Sequence, residues 1–357
     1  MSNAGDEKLE DAGRRAQGRS DAGNADRTAP AHGVRVAALV VAAAVLVIWA
    51  TPPSALLAGM AFALLAGDPL GSRKHALAKW LLQICVVLLG FSMDLPVVLR
   101  LGLNGSLFAA TTIATTLLLG WWLGRRLGLA SRTTLLISVG TAICGGSAIA
   151  AVSAVIGASA AEIAVSIGTV FLLNAAALYV FPIAGHWLHL SQAGFGLWAG
   201  VAIHDISSVV GAGISYGPGA LQTATAVKLS RTLWIVPLTL AFAAARRRGA
   251  AARADGAARA AAVPRHGLSA QLPWFIGLFL LASLLRSDVA GVAHWSPLLD
   301  EIARRGMILV LFLIGTSLSR TALRTVGWRT MAVGVALWLF ISVASLLCIL
   351  FAPFKLV

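Results

Sequence analysis

The stretch GTAICGGSAIAA, Gly140–Ala151, places Cys144, Gly145, Gly146 and Ser147 in the middle of an apolar run. Adjacent glycines in a helix interior cost about 1 kcal/mol each relative to alanine, so the pair needs a reason. Either neighbouring helices approach closely over small residues, or the helix breaks there. A break would leave the second half-helix with free N–H groups and a positive dipole end, an anion site that Ser147 could cap. Unwound backbone at membrane depth also requires a cavity or a protein cover. The glycine pair alone is balanced between these readings, and its position near mid-span favours the break.

The surrounding composition sets the medium. The chain has 357 residues, 58% hydrophobic and 12% charged, with a mean hydropathy of +0.85. A soluble domain carries about twice that charged fraction, so an all-α polytopic membrane protein is expected. The formal charge of +14 raises nucleic acid as a partner. The basic residues fall in short clusters between apolar runs, however, which is the pattern of cytoplasmic loops. Membrane topology accounts for the charge, and nucleic acid is not expected. Cys85, Cys144 and Cys348 lie in separate apolar segments without metal or disulfide spacing, so no metal or cofactor is implied.

A spanning helix needs about 20 mostly apolar residues. That criterion gives about eleven transmembrane helices: 35–50, 54–67, 77–94, 105–124, 133–157, 162–185, 194–214, 221–244, 272–286, 304–319 and 328–352. Residues 1–33, Ala/Gly-rich with interleaved charges, read as a disordered cytoplasmic tail, and 34–357 as the transmembrane domain. Basic clusters follow span two (Arg73, Lys74, Lys79), span four (Arg125, Arg126, Arg132), span eight (Arg246 through Arg265) and span ten (Arg320, Arg324, Arg329). All fall on one side with this count, which predicts a cytoplasmic N-terminus and a periplasmic C-terminus in the inner membrane. The loop 246–271 reads as a basic cytoplasmic anchor touching anionic lipid.

Two self-similarities stand out. LLGFSMDLPVVLR (88–100) resembles FLIGTSLSRTALR (312–324), each ending a span at a Gly-x-Ser turn, in opposite directions as an inverted repeat requires. GTAICGGSAIAA also resembles GVAIHDISSVVGA (200–212), but with eleven straight spans those two run in the same direction.

Ionisable residues at membrane depth cost at least about 2.5 kcal/mol each and default to a functional reading. His204 and Asp205 lie mid-span in FGLWAGVAIHDISSVVGAG, and Lys228 and Arg231 follow in ATAVKLSRTLWIVP. The three-residue spacing of the two cations puts them on one helix face. With His204 neutral, the four groups sum to one positive charge, suited to an anion. A structural ion pair of Asp205 with Lys228 or Arg231 is the plainer alternative. Four ionisable groups in adjacent helices, with Ser207, Ser208 and Ser230 nearby, favour function. Asn174 reads as an interhelical packing amide.

GTAICGGSAIAA, FGLWAGVAIHDISSVV, VKLSRTLW and LLQICVVLLGFSMDLPVVLR together resemble the YeiH-type family of bacterial inner-membrane proteins, labelled sulfate exporters. The likeness runs in order from about residue 50 to 350. The family is grouped with the cation/proton antiporter and anion transporter superfamily. That grouping implies two inverted five-helix repeats with discontinuous crossing helices, plus an extra N-terminal helix. By this resemblance span five is one crossing helix, and span ten, with Gly315-Thr316-Ser317, its counterpart. The family often carries Glu where this chain has Asp205.

The expectation is a secondary transporter exporting a small anion, sulfate or sulfonate-like, by alternating access. Cys144, Gly145, Gly146, Ser147, Lys228, Arg231, Ser207 and Ser208 would bind the substrate, and His204 and Asp205 would serve proton or counter-ion coupling. A homodimer is compatible with this. The rivals are a cation/proton antiporter built on Asp205 and a non-transporting membrane component. No HExxH, intramembrane aspartate pair or GxxxxGK[ST] motif points to an enzyme or an ATP-driven pump.

Overall fold

The computed structural model describes residues 33–66, 71, 73–251, 274–318 and 326–351, and among these every regular element is a helix. The expected tail, apart from Gly33, and residues 252–271 of the basic loop lie outside the described residues. Helix α1 spans Gly33–Trp49. It is followed by α2 (Pro52–Ala66), α3 (Arg73–Gly90), α4 (Leu95–Arg126), α5 (Ser131–Ala142), α6 (Gly146–Ile156) and α7 (Ala160–Trp187). Then come α8 (Gln192–Ala202), α9 (Ile206–Tyr216), α10 (Pro218–Leu233), α11 (Ile235–Ala251), α12 (Trp274–Asp288), α13 (Ala290–Gly315) and α14 (Trp328–Phe351). Among the described residues, three helices are long and apolar enough to cross a membrane: Ala160–Trp187, Pro218–Arg246 and Trp328–Phe351. The second of these comprises α10 and most of α11, interrupted at Trp234, where Pro237 lacks an N–H and crowds the Leu233 carbonyl.

Helix α7 serves as a ruler for its neighbours. Its 28 residues extend about 42 Å at 1.5 Å per residue. Its start is fixed by local sequence: Gly157 ends α6 in the left-handed region at φ 66°. Ser159 and Glu162 then form a reciprocal capping box, with Ser159 N–H donating to Glu162 Oε2 at 2.7 Å.

Span 133–157, expected to cross, instead folds back on itself as α5 and α6. A Cβ on Gly140 would sit 2.8 Å from Ile149 Cδ1. Nine residues along one straight helix would be separated by about 13 Å. The base of this hairpin stays beside the start of α7, where Arg132 is within electrostatic reach of Glu162. Its tip reaches Val170 and Phe171 of α7.

Span 194–214 does the same from the other end of α7. Phe195 of α8 and Tyr216 of α9 stack with ring centroids 3.8 Å apart, although 21 residues of straight helix would separate them by about 31 Å. Tyr216 Oη donates to the Leu190 carbonyl at 2.6 Å, closing the base. That base packs on Gly185 of α7, and the tip reaches Asn174. Two hairpins therefore enter from opposite ends of α7 and meet near its middle. Hydropathy counts apolar length, and a pair of half-helices of 11 or 12 residues offers the same length as one crossing helix.

Span 304–319, the expected second interrupted helix, is unbroken: α13 runs continuously from Ala290 to Gly315. The Gly-x-Ser turns behave as read from the sequence. Ser92 N–H donates to the Leu89 carbonyl at 3.0 Å and Ser317 N–H to the Ile314 carbonyl at 2.9 Å, each closing its helix. Lys74, expected in a loop, is buried and donates to the Thr316 carbonyl at 3.0 Å. Arg329 lies by Gly128, and Arg246 lies by Gly157 and bonds the Val155 carbonyl.

Candidate functional site

At the tip of the first hairpin, α5 ends at Ala142 and Gly145 takes φ 64°, ψ −125°, a conformation that side chains resist. The Gly145 N–H donates back to the Gly140 carbonyl at 2.9 Å. The last carbonyls of a helix have no partners within it, and here α10 supplies them. Lys228 Nζ donates to the Ile143 carbonyl at 3.1 Å. Arg231 donates through Nη2 to the Ala142 carbonyl and through Nη1 to Thr112 Oγ1 of α4 at 2.8 Å. Both cations are buried, at 0% and 1% exposure, so they meet the negative dipole end of α5 away from solvent. One face of α10 thus anchors the broken end of the hairpin.

The second half-helix, α6, begins at Gly146 with no side-chain cap on Gly145. Ser147, expected to cap it, donates instead to the Cys144 carbonyl at 3.2 Å and meets Cys144 Sγ at 2.8 Å. The sulfur, a weak acceptor, faces the Ala148 N–H. A hydroxyl two residues past the N-cap points along its own turn and cannot reach back to the N-cap donors.

The tip of the second hairpin is Ile203-His204-Asp205. Asp205 is the N-cap of α9: its carboxylate accepts the Ser207 N–H at 3.1 Å and the Ser207 hydroxyl. Asn174 Oδ1 accepts the backbone N–H of both His204 and Asp205 at 3.1 Å, holding the turn from α7. Ser208, the next residue of α9, is buried. The tips touch, for a Cβ on Gly145 would lie 3.7 Å from Asp205 Cβ and from the His204 carbonyl carbon.

The expected pairing of Asp205 with Lys228 or Arg231 does not form among the described residues, because each group is held by backbone or hydroxyl partners instead. Several buried polar atoms at the tips have no partner: both ring nitrogens of His204, Asn174 Nδ2, Thr141 Oγ1 and Arg231 Nε. Buried polar groups in folded proteins are nearly always bonded, so this cluster is unusual. No trio of His, Cys, Asp or Glu able to hold a metal occurs among the described residues.

The structure places the Cys144–Ser147 turn, the His204–Ser207 turn, Lys228 and Arg231 around the two tips, with Ser208 buried one residue further on, whereas Ser230 bonds its own helix at Val227. Sequence reasoning undervalued Asn174, visible only as a lone mid-span amide. It missed Thr112 altogether, one threonine among several in TTIATT with nothing to distinguish it.

The arrangement has many relatives. A UPF0324 membrane protein of Porphyromonas gingivalis is 46% identical over 305 residues, covering 85% of this chain and 88% of that protein. One from Bacteroides thetaiotaomicron is 42% identical, covering 85% and 87%. UPF0324 membrane protein Bd1437 of Bdellovibrio bacteriovorus is also 42% identical, covering 83% and 88%. No solved structure matches the chain. The family described as Conserved hypothetical protein 698 matches residues 36–334, from α1 into the start of α14 and including both hairpins, and this chain belongs to that family of membrane proteins.

Proposed function

We propose that the protein is a secondary transporter that exports a small anion, sulfate or sulfonate-like, across the bacterial inner membrane by alternating access. The observation that carries this reading is the meeting of two half-helix N-termini beside buried Lys228 and Arg231, with one carboxylate between them. Each N-terminus carries about half a positive charge. Asp205 caps the N-terminus of α9, while that of α6 lacks a side-chain cap. An anion would bind the first N–H groups of α6 at Gly146 and Ser147, bordered by Cys144, and those of α9 at Ser207 and Ser208. Lys228 and Arg231 act on it as fixed charges.

In this reading α1 to α4, α7, α10–α11 and α12 to α14 cross the bilayer, and the two hairpins enter from opposite faces. The likeness of GTAICGGSAIAA to GVAIHDISSVVGA then fits an inverted repeat, since the two tips point in opposite directions. The clustered basic residues mark the cytoplasmic face, leaving the N-terminus inside and the C-terminus outside.

The test is uptake of radiolabelled anions and cations by proteoliposomes of purified protein, with and without an imposed pH gradient. Flux of sulfate or a sulfonate, abolished by Gly145→Ala, supports the reading. A pH-driven cation flux lost in Asp205→Asn, with no anion flux, overturns it.

A further inference from the structure

At the two tips, His204 is 1% exposed, and neither of its ring nitrogens, Nδ1 or Nε2, has a partner among the described residues. Each charged neighbour has at least one atom bonded. From α9, Asp205 is bonded twice by Ser207, through Oδ2. From α10, Lys228 and Arg231 donate to the end of α5 and lie within electrostatic reach of the imidazole. From the first hairpin, Cys144 meets Ser147. From α7, the Asn174 amide grips the His204 backbone through Oδ1, so the ring is held at the tip whatever its charge.

The charges at the tips limit what the site can hold. Two cations, one carboxylate and an uncharged imidazole leave one positive charge. A monovalent anion closes that sum to zero. A divalent anion overshoots by one negative charge, which a buried, low-dielectric site penalises heavily. One proton on the imidazole restores neutrality, and the protonated ring gains a hydrogen bond to the anion that its free nitrogens now lack.

We propose that His204 is the proton carrier of this site, so that a divalent anion is loaded together with one proton while a monovalent anion is loaded without one. This rests on the anion-transport reading above. No bond is made or broken beyond the imidazole N–H: the proton enters from solvent with the anion and leaves with it.

The experiment uses full-length protein in liposomes containing a pH-sensitive dye, with sulfate as the divalent probe and nitrate as the monovalent one. For wild type, sulfate flux rises as pH falls, approaching about tenfold per unit. About one proton moves per sulfate and none with nitrate. In His204→Gln, which keeps polarity but cannot carry charge, the sulfate-to-nitrate flux ratio falls at least about tenfold and the pH dependence of sulfate flux vanishes. Wild-type sulfate flux without proton movement, or His204→Gln with an unchanged ratio and pH profile, overturns the proposal while leaving anion transport intact. Absence of flux for either anion sinks the transport reading and this proposal with it. Should His204→Gln fail to fold, His204→Asn takes its place, and an unchanged proton-to-sulfate ratio in that variant overturns the proposal.

Discussion

Lys228 Nζ donates to the Ile143 carbonyl at 3.1 Å, tying a fully buried cation on one helix to the broken end of another. The contact explains how a polypeptide ends a helix inside a membrane protein. Exposed C-terminal carbonyls need donors, and in the absence of water another helix must bring them. Arg231, three residues on, does the same for Ala142 while bonding Thr112.

Removing these donors should destabilise the hairpin before it affects any ligand. Arg231→Met strips the Ala142 carbonyl of its guanidinium donor, at about 1–3 kcal/mol, whereas the Thr112 hydroxyl still donates to the Phe108 carbonyl at 2.8 Å. Arg231→Lys retains charge but cannot hold both partners with one ammonium. Thr112→Val should cost less than either, since it deletes one acceptor and leaves Arg231 on Ala142. Thermal unfolding of purified protein in detergent checks this order.

Gly145 and Gly146 should respond differently to the same substitution. Gly145→Ala forces a Cβ into φ 64°, ψ −125° and towards Val170 Cγ1 at 3.3 Å. The strain is about 1–3 kcal/mol, and transport should be lost with it. Gly146→Ala has no positive φ and meets only the Phe171 ring edge, at 3.3 Å. It should change stability by less than about 1 kcal/mol. Equal effects in unfolding and flux assays would contradict the described tip.

Asn174 holds the second tip through one oxygen. Asn174→Leu should lower stability by about 1–3 kcal/mol by stranding two buried N–H groups. Asn174→Asp keeps the acceptor but adds a negative charge at the anion site. It should therefore weaken anion flux more than it weakens the fold. Comparing unfolding temperature with flux for the two variants separates the effects.

The hairpins make a topological prediction. Ser131 and Ser159 flank the first hairpin, and Ser191 and Ser215 lie at the base of the second; all four are exposed. Cysteines at 131 and 159 should react with a membrane-impermeant thiol reagent from one face, and those at 191 and 215 from the opposite face. If span 133–157 crossed the membrane, cysteines at 131 and 159 would label from opposite faces.

Much of the local grammar was readable from the chain. The Gly-x-Ser helix ends, the polar centre of His204, Asp205, Lys228 and Arg231, and the break at Gly145 all follow from short-range chemistry. Under the proposed topology the parity of the basic clusters is the same as with eleven straight spans. Two hairpins with α7 between them return the chain to the same face as three successive crossings would.

The sequence by itself determined that the protein is helical and apolar and which mid-span residues are ionisable. Those properties are local: each depends on a residue and its neighbours within a turn or two. Only the tertiary structure decided that the two interrupted spans fold back and touch at Gly145 and Asp205. It likewise decided that the cations bind α5 rather than Asp205, and that Asn174 grips the second tip. A half-helix carries the same hydropathy whether it continues straight or returns. The choice between them rests on the acceptor that α7 brings and the donors that α10 brings, from up to 89 residues away.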